Sequence, residues 1–95
     1  MAAYTIINLQ VTDPDSFREF QEKFPAVLEK YEGRYLARGG EAERWEGNWE
    51  PRRVVILEFP SIDHARRLYK SKEYEPLKAI RLQSTKSDLI VVAGL

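Results

Sequence analysis

The chain has 95 residues, 15 Lys plus Arg balanced by 15 Asp plus Glu, and no cysteine. A chain of this length makes one domain that buries only roughly 60–65% of its unfolded surface, so a thin core and self-association are expected. Zero net charge argues against nucleic acid or an acidic membrane as a partner, and the missing thiols exclude disulfides and thiolate chemistry. No basic N-terminal stretch leads into a long apolar run, and no segment reaches transmembrane length, so a cytoplasmic protein is expected.

Tyr4 to Thr12 reads as a strand of β-branched and aromatic residues that stops at Thr12-Asp13-Pro14. Asp13 is a good N-cap, and Pro14 suits the first helical position. Phe17, Phe20, Phe24, Val27, Leu28 and Tyr31 follow at spacings of three and four, which predicts an amphipathic helix. Pro25 falls inside that stripe and is expected to kink or divide the helix. Gly33 is expected to end it in the left-handed region. Arg34 to Arg38 is a second strand, closed by Gly39-Gly40, which read as a bulge or turn. Glu41 to Pro51 is charged and carries Trp45 and Trp49, read as a hairpin arm packing its indoles on the core or on a partner subunit.

Arg52 to Phe59 is the third strand, ended by Pro60. Ser61 caps a helix with Ile62, Ala65, Leu68 and Tyr69 on one face, and Ser71 restarts it with Tyr74, Leu77 and Ile80 inward. Ser87 to Ala93 is the last strand. The order β-α-β-β-α-β predicts an α+β, ferredoxin-like domain over residues 1–95, with a four-stranded antiparallel sheet and helices on one face. Such a sheet normally shows one apolar face. Val54-Val55-Ile56-Leu57 and Leu89-Ile90-Val91-Val92 are apolar on both. A homodimer through the sheet faces is therefore expected to cover the second one.

Several segments together resemble the domain-of-unknown-function 1330 family of the dimeric α/β-barrel superfamily. They are Ala3-Tyr4, Tyr35-Leu36-Ala37-Arg38-Gly39-Gly40, Glu46-Gly47, Arg53-Val54-Val55-Ile56-Leu57-Glu58-Phe59-Pro60-Ser61 and Tyr69-Lys70-Ser71-Lys72-Glu73-Tyr74. The resemblance implies a ferredoxin-like fold and a dimeric α/β barrel formed sheet to sheet. It also implies kinship with cofactor-free monooxygenases, small-acid isomerases, haem-binding enzymes and ligand-binding regulatory domains. Two departures stand out: Glu32 precedes Gly33 where members carry a second glycine, and Ala93-Gly94 replaces a terminal acid and glycine.

The chemistry-bearing candidates cluster around the third strand and the helix after it. Arg38 and Arg53 suit bidentate capture of a carboxylate, or a structural ion pair. Glu58 reads either as a buried base or as the partner of one of those arginines. His64, the sole histidine, has three readings: a base beside Tyr69 or Glu58, a haem ligand, or a first-turn residue facing solvent. Ser61 lies three residues before His64, but a serine after a strand and a proline reads as a helix cap, not a nucleophile. Tyr4, Tyr69 and Tyr74 suit either pocket lining or core filling. Metal-ligand spacing is absent and no cofactor is expected. The expected function is binding, with or without transformation, of a small organic acid or carbonyl compound in a helix–sheet cleft. A non-catalytic regulatory module and a haem-related binder are the alternatives.

Overall fold

Period-two alternation along the first strand sets the architecture. In the computed structural model, which describes residues 1–95, β1 (Ala3–Val11) buries Ala3, Thr5, Ile7 and Leu9 and turns Tyr4, Ile6 and Asn8 to the other side. Strand β2 (Arg34–Arg38) follows α1 (Pro14–Lys30). Next come β3 (Arg53–Phe59), α2 (Ile62–Tyr69), α3 (Tyr74–Ser84) and β4 (Thr85–Ala93). The sheet order is β2-β3-β1-β4 with every pair antiparallel. Ile7, Leu9, Val55, Leu57 and Phe59 meet Phe17, Phe20, Phe24, Leu28, Ala65, Leu68, Tyr74 and Leu77 in one core, so all three helices lie on the same face.

This is the expected α+β, ferredoxin-like topology, with one correction. The α/β barrel is not formed: β2 and β4 each bond a single neighbour and leave two free edges, so the sheet is open. Closure would require β2 and β4 to pair, and no such pairing forms.

Local chemistry explains where the helices begin and end. Asp13 accepts from the Ser16 N–H and hydroxyl, with Pro14 opening α1. Pro25 does not divide α1, which runs unbroken from Pro14 to Lys30; the proline only deprives the Gln21 carbonyl of its usual donor. The left-handed residue after α1 is Glu32, at φ 61°, and not Gly33. Gly33 serves close packing instead: a Cβ there would stand 2.4 Å from Leu28 Cδ1 and 2.7 Å from Phe59 Cε1. Ser61 caps α2 through the His64 N–H. Ser71 accepts from the Tyr74 N–H at 3.1 Å and donates to the Leu68 carbonyl, joining α2 to α3. Helix α3 runs into β4 with no loop, and the Thr85 hydroxyl donates to the Arg81 carbonyl at the junction.

The segment between β2 and β3 is not a hairpin, because residues 40–52 hold no strand. It crosses the outer face of the sheet and is pinned by Asn8, which donates to the Glu50 carbonyl and accepts from the Arg52 N–H. Trp45 and Trp49 remain exposed, as do Ile90 and Val92 on the outer face of β4.

Candidate anion-binding cavity

Helix α1 and the sheet enclose a cavity of about 340 Å³. Its apolar walls are Phe17, Phe20 and Phe24 from one side of α1, set against Ile7, Leu9 and Val55. The α1 rings stack in sequence, at 5.4 Å from Phe17 to Phe20 and 5.0 Å from Phe20 to Phe24. Phe24 also meets Tyr35 edge-on and leans on Tyr74. The polar lining consists of Gln21, Tyr35 and three arginines, Arg38, Arg53 and Arg81.

Each arginine reaches the cavity for an identifiable reason. A bulge between Tyr35 and Ala37 shifts the β2 register: Tyr35 pairs with Leu57, and two residues later Ala37 pairs with Ile56. The extra residue, Leu36, returns Arg38 to the helix side opposite Val55, where its guanidinium sits 4.8 Å from the Tyr35 ring centroid. Arg53 shares the parity of Leu9 and Val55. Its guanidinium lies against Gly39, at φ 73°, where a Cβ would come within 2.8 Å of it. Arg81 is only 3% exposed. Its Nε donates to the Tyr74 hydroxyl at 3.2 Å and its Nη1 to Ser87 Oγ at 2.7 Å.

None of the three arginines forms a salt bridge, and no Asp or Glu lines the cavity. Three guanidinium groups thus face an apolar chamber without a protein anion, an arrangement that favours an anion from outside. Burial pushes the Tyr35 hydroxyl pKa up, against the opposing hydrogen bond and charge of Arg38 and the charge of Arg53.

The structure brings together some of the sequence-derived candidates and separates others. Arg38 and Arg53 line the cavity, and Tyr74 is buried beside it, holding Arg81. Tyr4 and Glu58 pair across β1 and β3 on the opposite face of the sheet. There Glu58 accepts from Arg34, with Nε at 2.6 Å and Nη2 at 2.5 Å, and not from Arg38 or Arg53. Tyr69 is partly exposed, beneath Lys78 and beside Tyr74. His64 is half-buried at the start of α2, with Nδ1 2.7 Å from Ser61 Oγ and Nε2 3.0 Å from Glu32. It touches neither Tyr69 nor Glu58 in the hydrogen-bond network.

Arg81 is the residue that sequence reasoning missed. Its signal was present: Tyr74, Leu77, Arg81 and Ser84 are the buried positions of α3, spaced three, four and three apart, so a charged residue occupies the apolar phase of the helix. No three His, Asp or Glu side chains converge as metal ligands, and there is no cysteine. No helix is long and apolar enough to cross a membrane.

Strand order and helix placement together define a ferredoxin-like α+β protein with a helix-side cavity. Within that class the chain belongs to the Domain of unknown function (DUF1330) family, whose model matches residues 2–95. No functionally curated protein matches the chain. Among solved structures it is similar to RPA0582, a protein of unknown function from Rhodopseudomonas palustris, with TM-score 0.79, 16% identity, and coverage of 99% of this chain and 82% of that one. It is similar to SnoaB, a cofactor-independent oxygenase from Streptomyces nogalater, with TM-score 0.69, 14% identity, and coverage of 99% and 93%. A dimeric ferredoxin-like protein of unknown function from Jannaschia sp. matches with TM-score 0.66, 12% identity, and coverage of 99% and 100%. At these identities the likeness is one of fold.

Proposed function

We propose that the cavity binds a small organic acid or carbonyl compound with an apolar body. The observation that carries this reading is the set of three arginines without carboxylate partners above an aromatic and aliphatic floor. Arg38 and Arg53 hold the oxyanion, Arg81 adds a third guanidinium, and Tyr74 acts by orienting Arg81. Glu58, His64 and Tyr69 contribute from outside the cavity, to the sheet surface and to the helix ends. A thermal-shift panel of small carboxylates at low ionic strength tests the reading. Stabilisation that is reduced in Arg53→Met supports it, and no shift with any acid in well-folded protein overturns it.

A second reading, transformation of the bound compound without a cofactor, draws support from the fold shared with SnoaB and from the cationic cluster. Guanidinium groups in a chamber of low dielectric stabilise an enolate as it forms. The lining carries no carboxylate or imidazole, so solvent water must take the proton and the compound itself must be acidic enough to give it up there. Deuterium wash-in beside the carbonyl of a bound compound, followed by NMR, is the corresponding test.

We further infer a two-fold dimer through the outer sheet faces, where Ile6, Val54, Ile56, Ile90 and Val92 leave apolar surface. Covering such surface stabilises by roughly 25 cal/mol per Å². A folded monomer persisting at micromolar concentration in sedimentation would contradict the dimer.

A further inference from the structure

Building on the organic-acid reading above, we propose that the ligand is a dianion, a small dicarboxylate held at both ends. One carboxylate sits on Arg81, the other on Arg38 and Arg53, and the hydrocarbon body lies over Leu9. The sheet register supplies the geometry. Leu9 pairs with Arg53 on one side and with Ser87 on the other, so Arg53, Leu9 and Ser87 form one row across β3, β1 and β4. Neighbouring strands stand ~4.8 Å apart, which separates the Arg53 and Ser87 backbones by about 10 Å. Arg81 is tied to the Ser87 end of that row by a 2.7 Å hydrogen bond. Arg38, on β2, lies at the Arg53 end. The cationic groups therefore flank an apolar centre instead of gathering at one point.

Charge balance leads to the same ligand class. A monocarboxylate meets the positive charge of one end and leaves that of the other end uncompensated. Arg81 is the more demanding end because it is buried among Tyr74, Ser87 and the cavity, with Nη2 making no hydrogen bond within the chain. Its two neutral partners orient the guanidinium and leave its charge unmatched. A second carboxylate supplies the missing anion, and the Thr85 hydroxyl on the Arg81 carbonyl keeps the helix end that presents it in place.

Isothermal titration of the full chain at fixed ionic strength and neutral pH tests the proposal with matched pairs: hexanoate against adipate, and benzoate against terephthalate. The expected result is that one dicarboxylate binds on the order of 10–100-fold tighter than its monocarboxylate. Arg81→Met is expected to erase that advantage, so that in this variant the dicarboxylate binds no tighter than its matched monocarboxylate. Should Arg81→Met fail to fold by circular dichroism, Arg53→Met removes the advantage from the other end. Equal affinities within both pairs overturn the dianion and leave the organic-acid reading intact. No binding of any of the four overturns both. A dicarboxylate advantage that survives both Arg81→Met and Arg53→Met places the binding elsewhere and also overturns the proposal.

Discussion

Two polar clusters on this small protein invite comparison. At the start of α2, Ser61, His64 and Glu32 form a hydrogen-bonded chain that resembles catalytic machinery in composition. Its ring nitrogens both have partners, and Ser61 Oγ also accepts the His64 N–H in the first turn of α2. Beneath α1, Arg38, Arg53 and Arg81 share a cavity and have no carboxylate at all. The first cluster closes on itself and holds a helix end to a turn. The second is left open, with its charge unmatched, beside space for a ligand. Residue types that look reactive thus mark the structural cluster, and the proposed binding site is marked by partners that are missing.

The strongest way to break this contrast is to remove the wall the arginine cavity shares with the core. Phe24→Ala should cost about 3–5 kcal/mol in chemical denaturation, since Phe24 is buried and meets Phe20, Tyr35 and Tyr74. A loss below ~1 kcal/mol would show that the aromatic column is not the scaffold of the cavity. Gly33→Ala attacks the turn that carries Glu32, forcing a methyl group into Leu28 and Phe59, and should cost about 1–3 kcal/mol by the same measurement. Ser61→Ala removes the α2 cap together with the Nδ1 partner of His64, with an expected loss of ~1 kcal/mol.

Arg81→Met provides the contrasting case. In ligand-free protein its stability should change by less than about 1 kcal/mol in either direction, because the loss of two hydrogen bonds is offset by relief of a buried, unmatched charge. A larger loss than that of Ser61→Ala would mean that Arg81 is structural, like the first cluster.

The smallest effect concerns a third, exposed tie. Lys30 and Tyr31 of the α1 end both donate to Glu73, and the Lys30 hydrogen bond, the first cause, helps hold the Glu73 pKa down at about 2. A carboxylate whose folded pKa is depressed contributes stability fully above its unfolded value, which is lost as pH falls through the folded one. Acid titration of Glu73→Gln should therefore show a slightly flatter stability profile between the ordinary carboxylate range and about pH 2, and an unchanged profile would remove this tie from the account.

Much of the fold was legible because its determinants are local. Asp13 and Ser61 each cap as their sequence context predicts, Ser71 ties the turn between α2 and α3, and the doubly apolar strands do leave Ile90 and Val92 exposed on the outer face. The site was less legible for two reasons. The placement of Arg38 relative to Glu58 depends on strand parity, and the Leu36 bulge reverses parity within five residues, so the two ends of neighbouring strands face opposite ways. Arg81 was obscured because a lone arginine in a helix is ordinarily solvated, and only its phase relative to Tyr74, Leu77 and Ser84 reveals otherwise. Glu32 in the left-handed region illustrates the same limit, since packing against Leu28 and Phe59, and not φ, is what demands glycine at the next position.

The bulge has a consequence for chain length. Deleting Leu36 would only remove the bulge and leave Arg38 opposite Val55, whereas inserting one further residue between Ala37 and Arg38 would turn the end of the strand over and carry the Arg38 side chain from the cavity to the outer face. The cationic end of the site would weaken although every charged residue was still encoded. Insertions in the 40–52 segment, which contributes nothing to the cavity lining, carry no such penalty. A single residue of strand length, with no chemistry of its own, thus decides how many positive charges face the cavity.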